Sequence, residues 1–106
     1  MPFKLFRTQQ FEEDFAKLPK AEKEHVEKFE RKLIESPYLG KPLGYYFFRE
    51  KRLNSRRVYF LIYEQYVVVL MVATSDKKTQ RSTIDSIKQK LAEYSKSVKE
   101  ALGKAQ

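Results

Sequence analysis

Residues 45–73 read YYFFREKRLNSRRVYFLIYEQYVVVLMVA, and this stretch decides the fold. Three runs within it, 45–53, 56–64 and 67–73, are dense in β-branched and aromatic side chains, which suit a pleated and largely buried surface. Asn54-Ser55 and the Glu64–Tyr66 segment separate the runs as short turns. Strands joined by turns this short pair antiparallel, so the stretch is a three-stranded meander.

Working outward, Gly40, Pro42 and Gly44 mark a loop ahead of the meander. Before that loop, Val26, Phe29 and Leu33 recur on one face of a helix from about Lys20 to Glu35, with charges of both signs on the other face. Ser36-Pro37 stops it. A shorter helix carries Phe11, Phe15 and Leu18, with Glu12, Glu13 and Asp14 near the positive end of its dipole, and Pro19 breaks it. Phe3 and Leu5 alternate about Lys4 as a first strand ending at Thr8.

After the meander, TSDKKTQR (74–81) is a polar loop, and Ser82 is placed to cap a closing helix over about 83–102. Ile84, Ile87, Leu91, Tyr94 and Val98 form its apolar stripe. The order is β-α-α-β-β-β-α. The class is therefore α+β, an antiparallel sheet of about four strands with two N-terminal helices packed on one face. The other face is expected to be partly open, and function is sought there.

A chain of 106 residues with 42% hydrophobic side chains, seven Tyr and eight Phe is read as one folded domain spanning 1–106. With no cysteine and one histidine, disulfides, thiolate metal sites and imidazole clusters are excluded, and no cofactor or metal is expected. The opening MPFKLFRTQQ lacks the apolar run of a signal peptide, and residues 67–73 are too short to span a bilayer. A cytoplasmic protein without a membrane partner is expected.

The net charge of +8 is unevenly placed. Residues 1–40 hold eight Lys/Arg against eight Asp/Glu, residues 41–81 nine against three, and residues 82–106 five against three. Excess charge gathered between Lys41 and Arg81 points to a polyanion such as RNA. Strand alternation sets Arg49 and Lys51 on one side of their strand and Glu50 and Arg52 on the other. Arg56 and Arg57 open the next strand, and Lys77, Lys78, Gln80 and Arg81 lie beyond the last, so the three segments are expected to converge. Of the aromatics Tyr45, Tyr46, Phe47, Phe48 and Tyr59, most are assigned to the core and one or two to stacking on unpaired bases. His25 lies outside the basic segment and is read as a surface or core-flanking residue.

Arg49-Glu50-Lys51-Arg52, Arg57-Val58-Tyr59-Phe60, Val68-Val69-Leu70 and Lys77-Lys78-Thr79-Gln80, followed by a helix near Ser82, resemble in order and spacing the RelE/HigB-like toxins of toxin–antitoxin systems, notably their phage-derived branch. The likeness runs from Phe3 to Tyr94. It implies a microbial RNase fold and a toxin that enters the ribosome and cleaves mRNA without metal. It also implies a cognate antitoxin as partner, the chain being a monomer or part of a toxin–antitoxin hetero-oligomer. It assigns Arg57 to phosphate stabilisation, Lys51 to the general base, and Lys78 or Arg81 to leaving-group support, with Arg49 in the catalytic set. Arg52, Arg56, Lys77 and Gln80 are implied to bind RNA. Some members carry a Tyr or His after the last strand, and residues 79–83 here hold neither. The helix beyond Tyr94 is longer than that family needs and is read as a docking stripe for the antitoxin or a second copy. Two other readings are kept: a ParE-like inhibitor of DNA gyrase, and a non-catalytic RNA-binding module of the same fold.

Overall fold

A computed structural model describes residues 2–104; Met1, Ala105 and Gln106, which the expected domain includes, lie outside the described residues. The elements are β1 (Lys4–Arg7), α1 (Gln9–Ala16), α2 (Lys20–Glu35), β2 (Lys41–Tyr45), β3 (Phe48–Leu53), β4 (Arg56–Tyr63), a single 3₁₀ turn (Glu64–Tyr66), β5 (Val68–Ser75), α3 (Gln80–Gln89) and α4 (Leu91–Lys104). The sheet order is β1-β5-β4-β3-β2. β1 runs parallel to β5, and every other pair is antiparallel.

The meander and the α+β class agree with the sequence reading; the sheet is mixed rather than antiparallel throughout, because β1 runs parallel to β5, and two further elements differ from that reading. The expected loop around Gly40, Pro42 and Gly44 is a fifth strand, β2, at the sheet edge. An edge strand tolerates Pro42 because one row of its N–H groups needs no partner. Gly40 and Gly44 adopt φ of +79° and +87°, and the register slips between Pro42 and Tyr45, so the strand is bent where glycine permits it.

The closing helix begins at Gln80 rather than at residue 83 and breaks at Lys90 into α3 and α4. Asp76 explains the early start. Its Oδ1 accepts from the Thr79 backbone N–H (2.9 Å) and from Thr79 Oγ1 (3.0 Å), so the turn is finished by Thr79. Ser82 is no cap: it lies inside the helix and donates back to the Thr79 carbonyl.

Helices cover the sheet on both faces. On one, Val58, Phe60, Ile62, Val69 and Met71 pack against Phe11 of α1, Leu18, and Val26, Phe29 and Leu33 of α2. On the other, Phe48, Tyr59, Leu61, Tyr63, Val68 and Leu70 pack against Ile87 of α3 and Val98 of α4, with Leu91, Tyr94 and Leu102 beside them. The expectation of a partly open second face is thereby corrected. So is the free docking stripe beyond Tyr94, since Val98 is 2% exposed and belongs to the core. A sheet buried on both faces accounts for the unbroken apolar runs in β4 and β5.

The junction of β1, α1 and α2 is held by polar ties. Thr8 caps α1, accepting from the Phe11 N–H while donating to the Val72 carbonyl. Arg7 forks onto Glu30 through Nε and Nη2 (2.9 and 2.6 Å), reaches Glu12, and lies 4.1 Å over the Phe15 ring. Asp14 Oδ2 accepts from the Thr74 N–H at 3.0 Å and fixes α1 to the end of β5.

Candidate functional site

The β3–β4 register puts Arg52 opposite Arg57 and Glu50 opposite Tyr59. Alternation then aims Glu50, Arg57 and Tyr59 at the face that α3 covers. A shift of register in β4–β5 between Tyr59 and Phe60 brings Ser75 opposite Arg57. At this end the covering helix is only beginning, so the cluster lies at the rim of the core rather than beneath it.

Glu50 is 8% exposed. Its Oε1 accepts from Gln80 Nε2 at 2.7 Å and stands 3.7 Å from Arg57 Nε. Beneath them the Tyr59 hydroxyl shares a hydrogen bond of 2.8 Å with Ser75 Oγ, both groups being buried. Burial pushes the Tyr59 phenol up to about 12, the Ser75 hydrogen bond opposing and the nearby Glu50 charge adding to the rise. Tyr59 therefore stays protonated at neutral pH and serves as a fixed hydroxyl under the ion pair. Lys77, Lys78 and Arg81, which flank Gln80 in the chain, are exposed, whereas Arg52 donates to the Asn54 carbonyl at the hairpin turn. Arg81 Nε lies 3.6 Å from Asp85 Oδ2 one helical turn on.

The expected convergence of Arg49 and Lys51 with Arg57 is corrected by the same register. Arg49 lies opposite Phe60 and Lys51 opposite Val58, on the face covered by α1 and α2. Arg49 is spent on the backbone: it donates to the carbonyls of Leu39 (2.8 Å), Tyr46 (3.0 Å) and Gly40 (3.1 Å). Lys51 faces α2 across a groove that also takes in Arg52. Arg56 is on the α2 side as well, with Nε 3.8 Å from Glu22 Oε1. Of the nine expected site residues, the structure gathers Arg57 and Gln80 into one contact cluster, leaves Lys77, Lys78 and Arg81 exposed beside Gln80 in the chain, sends Arg49, Lys51 and Arg56 to the opposite face, and sets Arg52 at the hairpin end, where it lines the groove with Lys51.

Glu50, Tyr59 and Ser75 were not singled out from the sequence as site residues. An acid within a basic strand invites the reading of charge balance. The one signal was its parity with Arg52, which places it on the Arg57 face of the hairpin.

Of the aromatics, Phe48 and Tyr59 are fully buried. Tyr45 and Tyr46 stand exposed, and Tyr46 stacks on Tyr38 with centroids 6.2 Å apart. His25 is exposed, its Nδ1 3.1 Å from Asn54 Nδ2. Among the described residues, no helix is long and apolar enough to cross a membrane.

The architecture defines a class: a small α+β protein whose mixed five-stranded sheet carries a guarded carboxylate–guanidinium pair at one end. No protein-family model matches the sequence, and no curated protein matches it. Solved structures narrow the class. The toxin–antitoxin complex RelBE2 of Mycobacterium tuberculosis is similar at 22% identity over 73% of this chain and 100% of that one, with a TM-score of 0.65. A doubly substituted variant of the Escherichia coli toxin RelE in the free state is similar at 21% identity over 81% and 93%, with a TM-score of 0.70. The archaeal RelE–RelB complex of Pyrococcus horikoshii is similar at 18% identity over 73% and 97%, with a TM-score of 0.61. The chain has the fold of the RelE toxins, as the resemblance in its motifs implied.

Proposed function

We propose that this protein is the toxin of a toxin–antitoxin pair, a cytoplasmic endoribonuclease that cuts mRNA on the ribosome and is silenced by a cognate antitoxin. The observation that carries this reading is the Glu50–Arg57–Gln80 cluster, a carboxylate and a guanidinium held together at a rim of cations. The fold shared with RelE toxins adds to it, although fold alone does not decide function.

The chemistry is attack by a ribose 2′-OH on the adjacent phosphorus. Glu50 accepts the 2′-OH proton as the 2′-O–P bond forms. Arg57, whose 3.7 Å contact with Glu50 is longer than a hydrogen bond, turns its donors to the phosphate and stabilises the phosphorane as negative charge accumulates. The P–O5′ bond then breaks, Lys78 gives a proton to the departing 5′ oxygen, and Arg81 neutralises the charge beside it. The products are a 2′,3′-cyclic phosphate and a 5′-OH. Gln80 holds the carboxylate for this exchange, and the role first assigned to Lys51 passes to Glu50 because Lys51 lies on the other side of the sheet.

Expression in cells tests the reading. The wild-type chain is expected to arrest translation and leave mRNA fragments ending in 2′,3′-cyclic phosphate, while Arg57→Ala leaves mRNA whole. Intact mRNA with broken DNA would replace this reading with gyrase inhibition.

A further inference from the structure

α2 and the free edge of β3 enclose a groove of about 300 Å³. β2 reaches along β3 only as far as the Lys41–Glu50 pair, so residues 51–53 form an open sheet edge. Lys28 and Lys32 line the groove from α2, and Lys51 and Arg52 line it from β3. His25 and Asn54 close one end with their 3.1 Å contact.

No carboxylate lines this groove. Among the described residues, none of Lys28, Lys32, Lys51 and Arg52 stands in an ion pair. The segregation is built into α2. Positions 25, 28 and 32 fall on the face toward β3; Glu24 stands one turn before Lys28, but neither it nor Glu27 lines the groove, and among the described residues neither is in an ion pair. Glu35 shares the adjoining depression with Lys28 and Lys32. Four cations converging without acids repel one another and raise a strongly positive local potential. Edge protection explains Lys51 and Arg52, which sit on the strand. It does not explain Lys28 and Lys32, which stand on a helix one turn apart, about 6 Å along its axis.

We propose that this groove binds the phosphodiester backbone of an RNA segment distinct from the one cut at Arg57, using Lys28, Lys32, Lys51 and Arg52 as phosphate contacts. The two sites lie on opposite faces of the β3–β4 hairpin, so that hairpin is inserted between two stretches of RNA. The inference rests on the RNA-cleaving reading above and adds a second, non-catalytic grip to it. Phosphate contacts of this kind set affinity and orientation without reading bases.

The test measures binding of the full chain to a short RNA duplex, 2′-O-methylated against cleavage, by fluorescence anisotropy over a KCl series. Each phosphate contact contributes a slope of about 0.9 in log K against log salt. Lys28→Gln/Lys32→Gln is expected to reduce that slope by about 1.8 and to weaken binding at least about tenfold at moderate salt. Lys51→Gln should reduce it by about 0.9. Cleavage by the double variant at saturating ribosomes should match wild type. An unchanged slope overturns the groove assignment, and so does polyglutamate binding as tightly as RNA, which would make the partner an acidic protein. A wild-type chain that shows the expected slopes and cuts nothing overturns the endonuclease reading alone. A chain that cuts, with slopes insensitive to Lys28 and Lys32, overturns the groove alone.

Discussion

Glu50 and Arg57 meet diagonally across the β3–β4 hairpin, with Oε1 of one 3.7 Å from Nε of the other, while the residues directly opposite them are Tyr59 and Arg52. Both side chains are nearly buried, at 9% and 11% exposure. The contact is longer than a hydrogen bond, so the guanidinium keeps donor capacity for a phosphate. Gln80 donates to the same Oε1 at 2.7 Å, so in the proposed reaction Arg57 can turn away without leaving Glu50 unpartnered.

Arg49 is expected to act on folding rather than on RNA. Its guanidinium satisfies three backbone carbonyls that join the Leu39-Gly40 bend to Tyr46. Arg49→Ala should lower the unfolding free energy by about 2 kcal/mol in urea denaturation. Cleavage well below the new midpoint should stay within a few-fold of wild type. Lost cleavage at unchanged stability would return Arg49 to the RNA site.

Gly40 is the backbone counterpart of that clamp. It adopts φ +79°, and a Cβ there would collide with the Glu50 carbonyl oxygen. Gly40→Ala should cost at least about 1–3 kcal/mol from backbone strain alone. Because the clash falls on the main chain of Glu50, cleavage should drop with it even at temperatures where the variant is folded. Thermal unfolding combined with a cleavage assay checks both effects.

The Arg7–Glu30 pair anchors β1 to α2 with a bidentate fork, and Glu30 is the more buried partner. The Glu30 hydrogen bond is the largest of the effects that raise the Arg7 guanidinium above its usual value, burial opposing it and Glu12 adding to it. Glu30→Gln leaves the arginine charge against the Phe11 and Phe15 rings without its carboxylate. Removing one partner of such a pair costs about 3–5 kcal/mol when fully buried, and the 21% exposure of Arg7 reduces this to about 2–3 kcal/mol. Urea denaturation of Glu30→Gln beside wild type reads the difference.

Alkaline pH should weaken the fold through two phenols. Burial pushes Tyr59 and Tyr63 each up to about 12, against an ordinary value of 10.0. Between these values the native chain binds more protons than the unfolded one, so stability falls as pH rises. Below pH 10 the contribution is fully present, and it is lost progressively toward about 12. Ultraviolet titration should show Tyr59 and Tyr63 ionising last of the seven tyrosines, with Tyr38 and Tyr94 also raised by burial, and Tyr59→Phe should remove one of the latest steps.

The meander was legible because β4 and β5 are buried on both faces and so appear as continuous apolar runs. β2 was not, since Pro42 and two glycines carry the marks of a loop and the strand exists only through main-chain pairing to β3. The second helical layer was read as one helix with a free stripe, because periodicity reports that a face is apolar and not what covers it. Arg57 and Gln80, two members of the candidate cluster, were legible in the sequence. Glu50 was missed although its parity with Arg52 was noted. Ser75 enters only through the register shift beside Tyr59, which leaves no trace in local pattern. Arg49 and Lys51 were grouped with Arg57 by nearness in sequence, whereas the pleat separates them across the sheet.

The most direct test of the Glu50–Arg57 pair as the cleaving centre is the single-turnover rate of mRNA cleavage on programmed ribosomes by Glu50→Gln. The substitution keeps the side chain's shape and its contact with Gln80 while removing the proton acceptor. A folded variant with ribosome affinity unchanged and a rate about 10²–10⁴ times lower is expected. Cleavage at the wild-type rate would contradict the account and return the search for the base to the cations of the rim.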